Sequence, residues 1–281
     1  MTRSRARLVG FTLFVSLLAT ACGGSEAATA EPVDVAAAEP ETAVEVADDD
    51  AEIGSAEPST ALAAAPELMP GTMTTSTVTI DGVDIDFAAV VPVDFEVGGT
   101  APVLLAMPPG GQSLDLTANV TSGTYATQAL ARGWVVVSPA APESGLYFNG
   151  SETLIPGFVD WINTWVTPEG GRPHLAGISN GGISSFRVAG NEPDAFASMI
   201  VFPGFPRSAE DQAALAELAD IPIRMFVGET DTSWIPPMEE AFATLDGLGA
   251  DVALDIRVGE GHVMASLSDG ADIFDLLDSF R

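Results

Sequence analysis

The residues with the clearest chemical potential are Gly177-Ile178-Ser179-Asn180-Gly181-Gly182, a serine set between glycines. They follow an apolar run that begins at His174 and precede a stretch with helical spacing, so the serine falls on a tight strand-to-helix turn. Such a turn leaves a hydroxyl exposed at the end of a strand, where it can attack a carbonyl once a base takes its proton. The base must be a histidine, and the chain has 2, His174 and His262. His174 stands at the start of the strand that leads to Ser179, at the opposite end from the hydroxyl. His262 follows the turn Gly259-Glu260-Gly261 beyond the last apolar run, which makes it the candidate base. An acid to orient it is expected after the strand that ends at Gly228-Glu229-Thr230-Asp231. Asp231 is the candidate and Glu229 its nearest rival. The order Ser179, Asp231, His262 is the nucleophile–acid–base order of a hydrolytic triad on a strand–helix fold.

A tetrahedral oxyanion needs backbone donors. The N–H of Asn180, at the start of the predicted helix, is one candidate. The loop Met107-Pro108-Pro109-Gly110-Gly111-Gln112 follows another short apolar strand, and the N–H of Gly111 or Gln112 is the second. Two histidines, one of them remote, make a zinc site improbable. This chemistry calls for no metal and no organic cofactor. Trp234, Tyr147 and Phe148 lie in loops near the same edge and fit pocket lining and ordinary packing equally well.

These residues need a frame, and the hydrophobic pattern supplies one. Asp81-Gly82 between β-rich runs over residues 72–80 and 83–91 marks a hairpin. Strands are then predicted over residues 103–107, 134–138, 174–178, 197–202, 221–227 and 252–258. Helices are predicted over residues 124–132, 152–166, 181–189, 209–219, 237–248 and 265–280. Alternating strands and helices imply an α/β fold: a mostly parallel sheet with an N-terminal antiparallel hairpin and helices on both faces. No long insertion interrupts the later units, so no lid domain is expected.

The N-terminus has another purpose. Arg3, Arg5 and Arg7 precede an apolar run, Leu8 to Leu18, too short to span a bilayer comfortably. Leu18-Ala19-Thr20-Ala21-Cys22 resembles a bacterial lipobox, with cleavage after Ala21 and lipidation of Cys22, the 1 cysteine in the chain. Without lipidation the same cut gives a secreted protein. Residues 1–21 are thus read as a signal peptide. Residues 22–70 are read as a lipidated cysteine and a disordered acidic tether, and residues 71–281 as the catalytic domain. The tether has neither the periodicity nor the bulk to form a core. The chain carries 40 Asp+Glu against 10 Lys+Arg, a net charge of −30, which argues against a nucleic-acid partner.

The segments resemble α/β-hydrolase serine esterases, especially the polyhydroxybutyrate depolymerase-like and feruloyl-esterase-like group. That group often carries the G-x-S-N-G-G turn matched by Gly177 to Gly182. Pro108 and Pro109 stand where the group commonly has a histidine or another polar residue. The resemblance implies an α/β-hydrolase fold and hydrolysis of carboxylic esters, of small molecules or polymers, through an acyl-enzyme. The expected location is the outer face of a bacterial membrane, reached through the lipid on Cys22. Two alternatives stand beside this: a peptidase or amidase with the same triad, and a non-catalytic binding protein on a hydrolase scaffold.

Overall fold

The computed structural model describes residues 64–143 and 145–281. The expected signal peptide, Cys22 and residues 22–63 of the expected tether lie outside the described residues. Within the stretch assigned to that tether, Leu68 packs against the core, and the Trp161 indole donates to the Ala64 carbonyl at 3.3 Å. Among the described residues, no helix is long and apolar enough to cross a membrane.

The hairpin forms as its turn chemistry dictates. Strands β1 (Met73–Ile80) and β2 (Val83–Val90) pair antiparallel with Ile80 opposite Val83. Asp81 and Gly82 both take positive φ, 51° and 79°, the conformation that matches hairpin twist. A two-residue strand, β3 (Thr100–Ala101), precedes β4 (Val103–Met107). Helices α1 (Leu114–Val120) and α2 (Ala126–Arg132) are joined by a single π turn over Thr121–Tyr125. Next come β5 (Val135–Pro139), α3 (Ile155–Trp165) and the two-residue β6 (Thr167–Pro168), which pairs with β3 apart from the main sheet. The chain continues through β7 (His174–Gly177), α4 (Asn180–Asn191), β8 (Met199–Val201) and α5 (Ala209–Ala213). It closes with β9 (Ile223–Gly228), α6 (Ile235–Gly247), β10 (Val252–Arg257) and α7 (Ala271–Ser279).

The main sheet runs β1-β2-β5-β4-β7-β8-β9-β10 and is parallel from β5 onward. Its inner strands β4, β5, β7 and β8 are buried on both faces, and alternate residues enter different cores. Val103, Leu105, Met107, Met199, Val201, Met225 and Val227 belong to one core, with Phe158, Trp161, Phe186, Met238 and Leu245 of α3, α4 and α6. Leu104, Ala106, Ile200 and Phe226 belong to the other, with Ala129 of α2 and Ile273, Phe274 and Leu277 of α7. The sheet is therefore covered on both faces, as the alternating pattern requires. Edge-on aromatic contacts fix both layers: Phe87 lies 5.0 Å from Trp161, and Trp134 lies 5.6 Å from Phe274.

The differences from expectation are local. Helix α1 was not expected; Ser113 caps it by accepting from the Leu116 N–H. The run predicted over residues 209–219 is α5 followed by a 3₁₀ stretch, Ala214–Leu218. The closing helix starts only after Gly270, whose φ of 71° breaks it from the short turn Ala265–Leu267. Between β8 and β9, residues 202–222 hold only α5 and that 3₁₀ stretch, so no lid-sized insertion is present there.

Candidate active site

Parallel strands send their carboxyl ends to one edge, and the candidate residues follow those ends. Met107 pairs with Gly177, and Arg257 pairs with Gly228. Ser179 leaves β7, Asp231 leaves β9, His262 leaves β10, and the double-proline loop leaves β4.

Ser179 sits at φ 57°, ψ −118°, a conformation that few non-glycine residues adopt. The fold holds it there by several restraints. Its N–H donates to the Pro203 carbonyl at 2.8 Å, and the Gly181 N–H donates to the Ile178 carbonyl at 2.8 Å. A Cβ at Gly177 would collide with the Gly181 carbonyl, and one at Gly181 with the Met107 carbonyl. The glycines on either side of Ser179 thus let strand, helix and loop close on one another, and the turn projects the hydroxyl outward.

The three expected residues meet. Ser179 Oγ lies 2.8 Å from His262 Nε2, and His262 Nδ1 lies 2.7 Å from Asp231 Oδ2. A carboxylate only accepts, so Nδ1 carries the proton and Nε2 is left as the acceptor for the hydroxyl. The Asp231 side chain is 9% exposed and that of His262 39%, so the acid is sheltered while the imidazole meets the cleft. Glu229 lies elsewhere: its carboxylate accepts from the Gly259 N–H at 2.8 Å. That bond ties the end of β9 to the turn that carries His262. Thr230 reinforces it, with its N–H and its hydroxyl both donating to the Glu260 carbonyl.

The oxyanion candidates separate. Asn180 opens α4, and its N–H finds no acceptor among the described residues. Its side-chain amide donates to the Gly110 carbonyl at 2.8 Å, which fixes the double-proline loop against the nucleophile turn. Gln112 is not available as the second donor. Its N–H closes a turn onto the Pro109 carbonyl at 3.0 Å, and the residue is wholly buried. Its amide instead donates to the Pro108 carbonyl and to Ser184 Oγ and accepts from the Tyr147 N–H. Gln112 is thus a buried brace of the loop. Of the two alternatives Gly111 remains; it is exposed, with open space where a Cβ would stand.

A cleft of about 380 Å³ opens at Ser179 and His262. Its other walls are mostly apolar and include Val120, Phe202, Val263, Met264 and Leu267. Val263 is 84% exposed at the rim. Val120 and Thr124 come from the α1–α2 run and its π turn, so the unexpected helix builds one wall of the site. Among the three aromatic residues left open by sequence, Trp234 packs on the base: its ring lies 4.7 Å from the His262 ring and 4.9 Å from Phe205. Tyr147 is fully buried, with its hydroxyl donating to the Ala140 carbonyl at 2.8 Å, and is core. Phe148 lies under the Arg207 guanidinium at 5.0 Å.

His174 is remote from this edge. It is buried at the start of β7 beside Trp134, with Nδ1 2.7 Å from Ser198 Oγ. Burial above all, then the charges of Arg281 and Arg172, pushes its pKa down to about 4. It is a neutral structural histidine. Among the described residues, no group of His, Cys, Asp and Glu could hold a metal ion.

No protein-family model matches the sequence, and neither does any curated protein. Solved structures do match. A thermostable esterase is 17% identical, with a TM-score of 0.56 over 74% of this chain and 60% of that one. The chain thus spans less than two thirds of that esterase's length. An S-formylglutathione hydrolase from Agrobacterium tumefaciens is 17% identical, with a TM-score of 0.56 over 74% of this chain and 93% of that one. A ferulic acid esterase is 15% identical, with a TM-score of 0.56 over 74% of this chain and 97% of that one. At such identities the likeness defines the fold, and this chain has the α/β-hydrolase fold.

Proposed function

We propose that this protein is a serine hydrolase that cleaves carboxylic esters. The observation that carries the proposal is the continuous line from Asp231 Oδ2 through His262 to Ser179 Oγ, at 2.7 and 2.8 Å. His262 removes the Ser179 proton as Oγ attacks the ester carbonyl. Asp231 orients the imidazole and stabilises its cation. The Asn180 N–H, with Gly111 as its partner, donates to the tetrahedral oxyanion. His262 then protonates the departing alcohol, and water activated by the same imidazole releases the acid from Ser179. The apolar cleft takes one side chain of the ester, and its size suits a short acyl or aryl group. The esterases and hydrolase that share the fold support this reading by analogy.

The test is hydrolysis of p-nitrophenyl esters of increasing chain length by the wild type and by Ser179→Ala. Turnover that favours short esters and falls at least about a thousandfold in the variant is expected. Comparable turnover in both would overturn the mechanism.

We further propose, from the sequence alone, that the enzyme is exported and anchored through a lipid on Cys22. Loss of fatty-acid labelling and of membrane association in Cys22→Ala is the expected result. Retention of both would refute the anchor.

A further inference from the structure

A second hollow, of about 540 Å³, lies beside the nucleophile turn. Asn180, Phe148, Arg187, Arg207, Ser208 and Asp211 line it. Ser179 lines the first, mostly apolar compartment and the adjoining Asn180 lines the second, which is polar and carries two arginines.

The two arginines differ. Arg187, on α4, is spent: its guanidinium binds Asp211, Glu152 Oε1 at 3.1 Å and Ser208 Oγ at 3.0 Å, with Glu210 at 3.6 Å. Those pairs hold the nearby carboxylates. The guanidinium of Arg207 has no carboxylate and no hydrogen-bond acceptor among the described residues. Seven arginines are described, and only Arg172 and Arg207 lack an ion pair there. Arg172 acts on His174, far from the triad edge. In a chain of net charge −30, an unpaired arginine in a hollow that Asn180 also lines stands out against abundant acidic alternatives.

Arg207 is also held in place. The Phe148 ring supports its guanidinium at 5.0 Å, which orients the planar fork while leaving its N–H groups unspent. The loop that carries it is pinned at both ends. Pro203 accepts from Ser179, Phe205 packs on Trp234, and the backbone N–H groups of Arg207 and Ser208 donate to Asp211 Oδ2 at 3.2 and 2.9 Å. A guanidinium with free donors, fixed by stacking, matches a carboxylate through two parallel hydrogen bonds. The net charge repels anions at long range, but salt screens that repulsion beyond about 8 Å at physiological ionic strength. Contact at Arg207 therefore decides the outcome.

We propose that this hollow is a carboxylate subsite and that Arg207 is its recognising residue. The preferred substrates are then esters with an apolar group on one side of the scissile bond and a carboxylate on the other. This rests on the ester-hydrolase reading above.

Two substrate pairs test it and cover both orientations. Mono-p-nitrophenyl adipate is compared with p-nitrophenyl hexanoate, and 3-acetoxybenzoate with its methyl ester. In at least one pair, the wild type is expected to favour the anionic member severalfold in kcat/KM, less so as salt rises. In Arg207→Gln that anionic-to-neutral ratio should fall about tenfold, mainly through KM, with Arg207→Lys between. No anionic preference in either pair, or the same ratio in Arg207→Gln as in wild type, would overturn the subsite. If the wild type hydrolyses none of the four esters, the ester-hydrolase reading fails, and calorimetric titration with adipate and benzoate then decides the subsite separately. Saturable binding that Arg207→Gln loses would support it; no binding, or equal binding by the variant, would overturn it.

Discussion

At Ser179 the backbone conformation and the proposed chemistry pull against each other. A side chain at φ 57°, ψ −118° costs on the order of 1–3 kcal/mol, which the bonds to Pro203 and the packed glycines offset. Alanine removes the Oγ but keeps the strain, whereas glycine removes both. Ser179→Gly and Ser179→Ala should be equally inactive, with the glycine variant more stable by about 1 kcal/mol. Urea denaturation of the two checks this; an alanine variant as stable as the glycine one would show that the turn stores no strain. The two acids after β9 make a second comparison. Asp231 contacts the imidazole and Glu229 only the Gly259 N–H. Asp231→Ala should lower kcat by about 10³–10⁴-fold. Glu229→Ala should cost less than about tenfold, chiefly through a looser His262 turn. Steady-state kinetics on both variants would reverse the assignment if the larger loss fell on Glu229.

At the scale of elements, β4, β7 and β9 each do two tasks: alternate side chains join two cores, and the carboxyl end leads into the loop that carries Gly111, Ser179 or Asp231. That Ser179, Asp231 and His262 come within hydrogen-bond reach was legible in the sequence because residue type, chain order and strand placement agree there. The hairpin was legible because Asp81-Gly82 favours the positive φ values that the turn needs. What escaped depends on contacts that local sequence does not encode. Leu114–Val120 mixes apolar and polar residues without a clean stripe, yet its cap at Ser113 and its packing make it a helix. Gln112 was eligible as a donor until the Pro109–Gln112 turn used its N–H. Arg207 and Trp234 acquire meaning only from Phe148 and His262, which lie far from them in the chain. The start of β7 makes its own prediction. His174 is neutral when folded, with a pKa of about 4, while the unfolded chain gains a proton near its ordinary value of about 6.5. Its contribution is therefore full above about pH 6.5 and is lost as pH falls toward 4, by up to about 3 kcal/mol. His174→Asn should be less stable than wild type at pH 7, and the gap should narrow on acidification to pH 4. A gap that stays constant, read from denaturation at each pH, would contradict the buried neutral state.

For the whole molecule, a sheet covered on both faces supports an exposed rim where β4, β7, β9 and β10 end. The α5 region is too short to close over that rim, and Val263 stands open to solvent beside His262. Catalysis on dissolved substrate should therefore need no interface. With protein lacking residues 1–63, the rate against concentration for a short triglyceride should rise smoothly through its solubility limit. A sharp jump above the limit with little activity below it would mean that some described segment moves to uncover the site. All of this depends on Ser179 being a nucleophile activated by His262. The most direct measurement is reaction with a fluorophosphonate, followed by peptide mass spectrometry on the wild type, Ser179→Ala and His262→Ala. A single adduct on Ser179 is expected, absent in Ser179→Ala and slowed by at least about a hundredfold in His262→Ala. An adduct on another residue, or labelling of His262→Ala at the wild-type rate, would contradict the account.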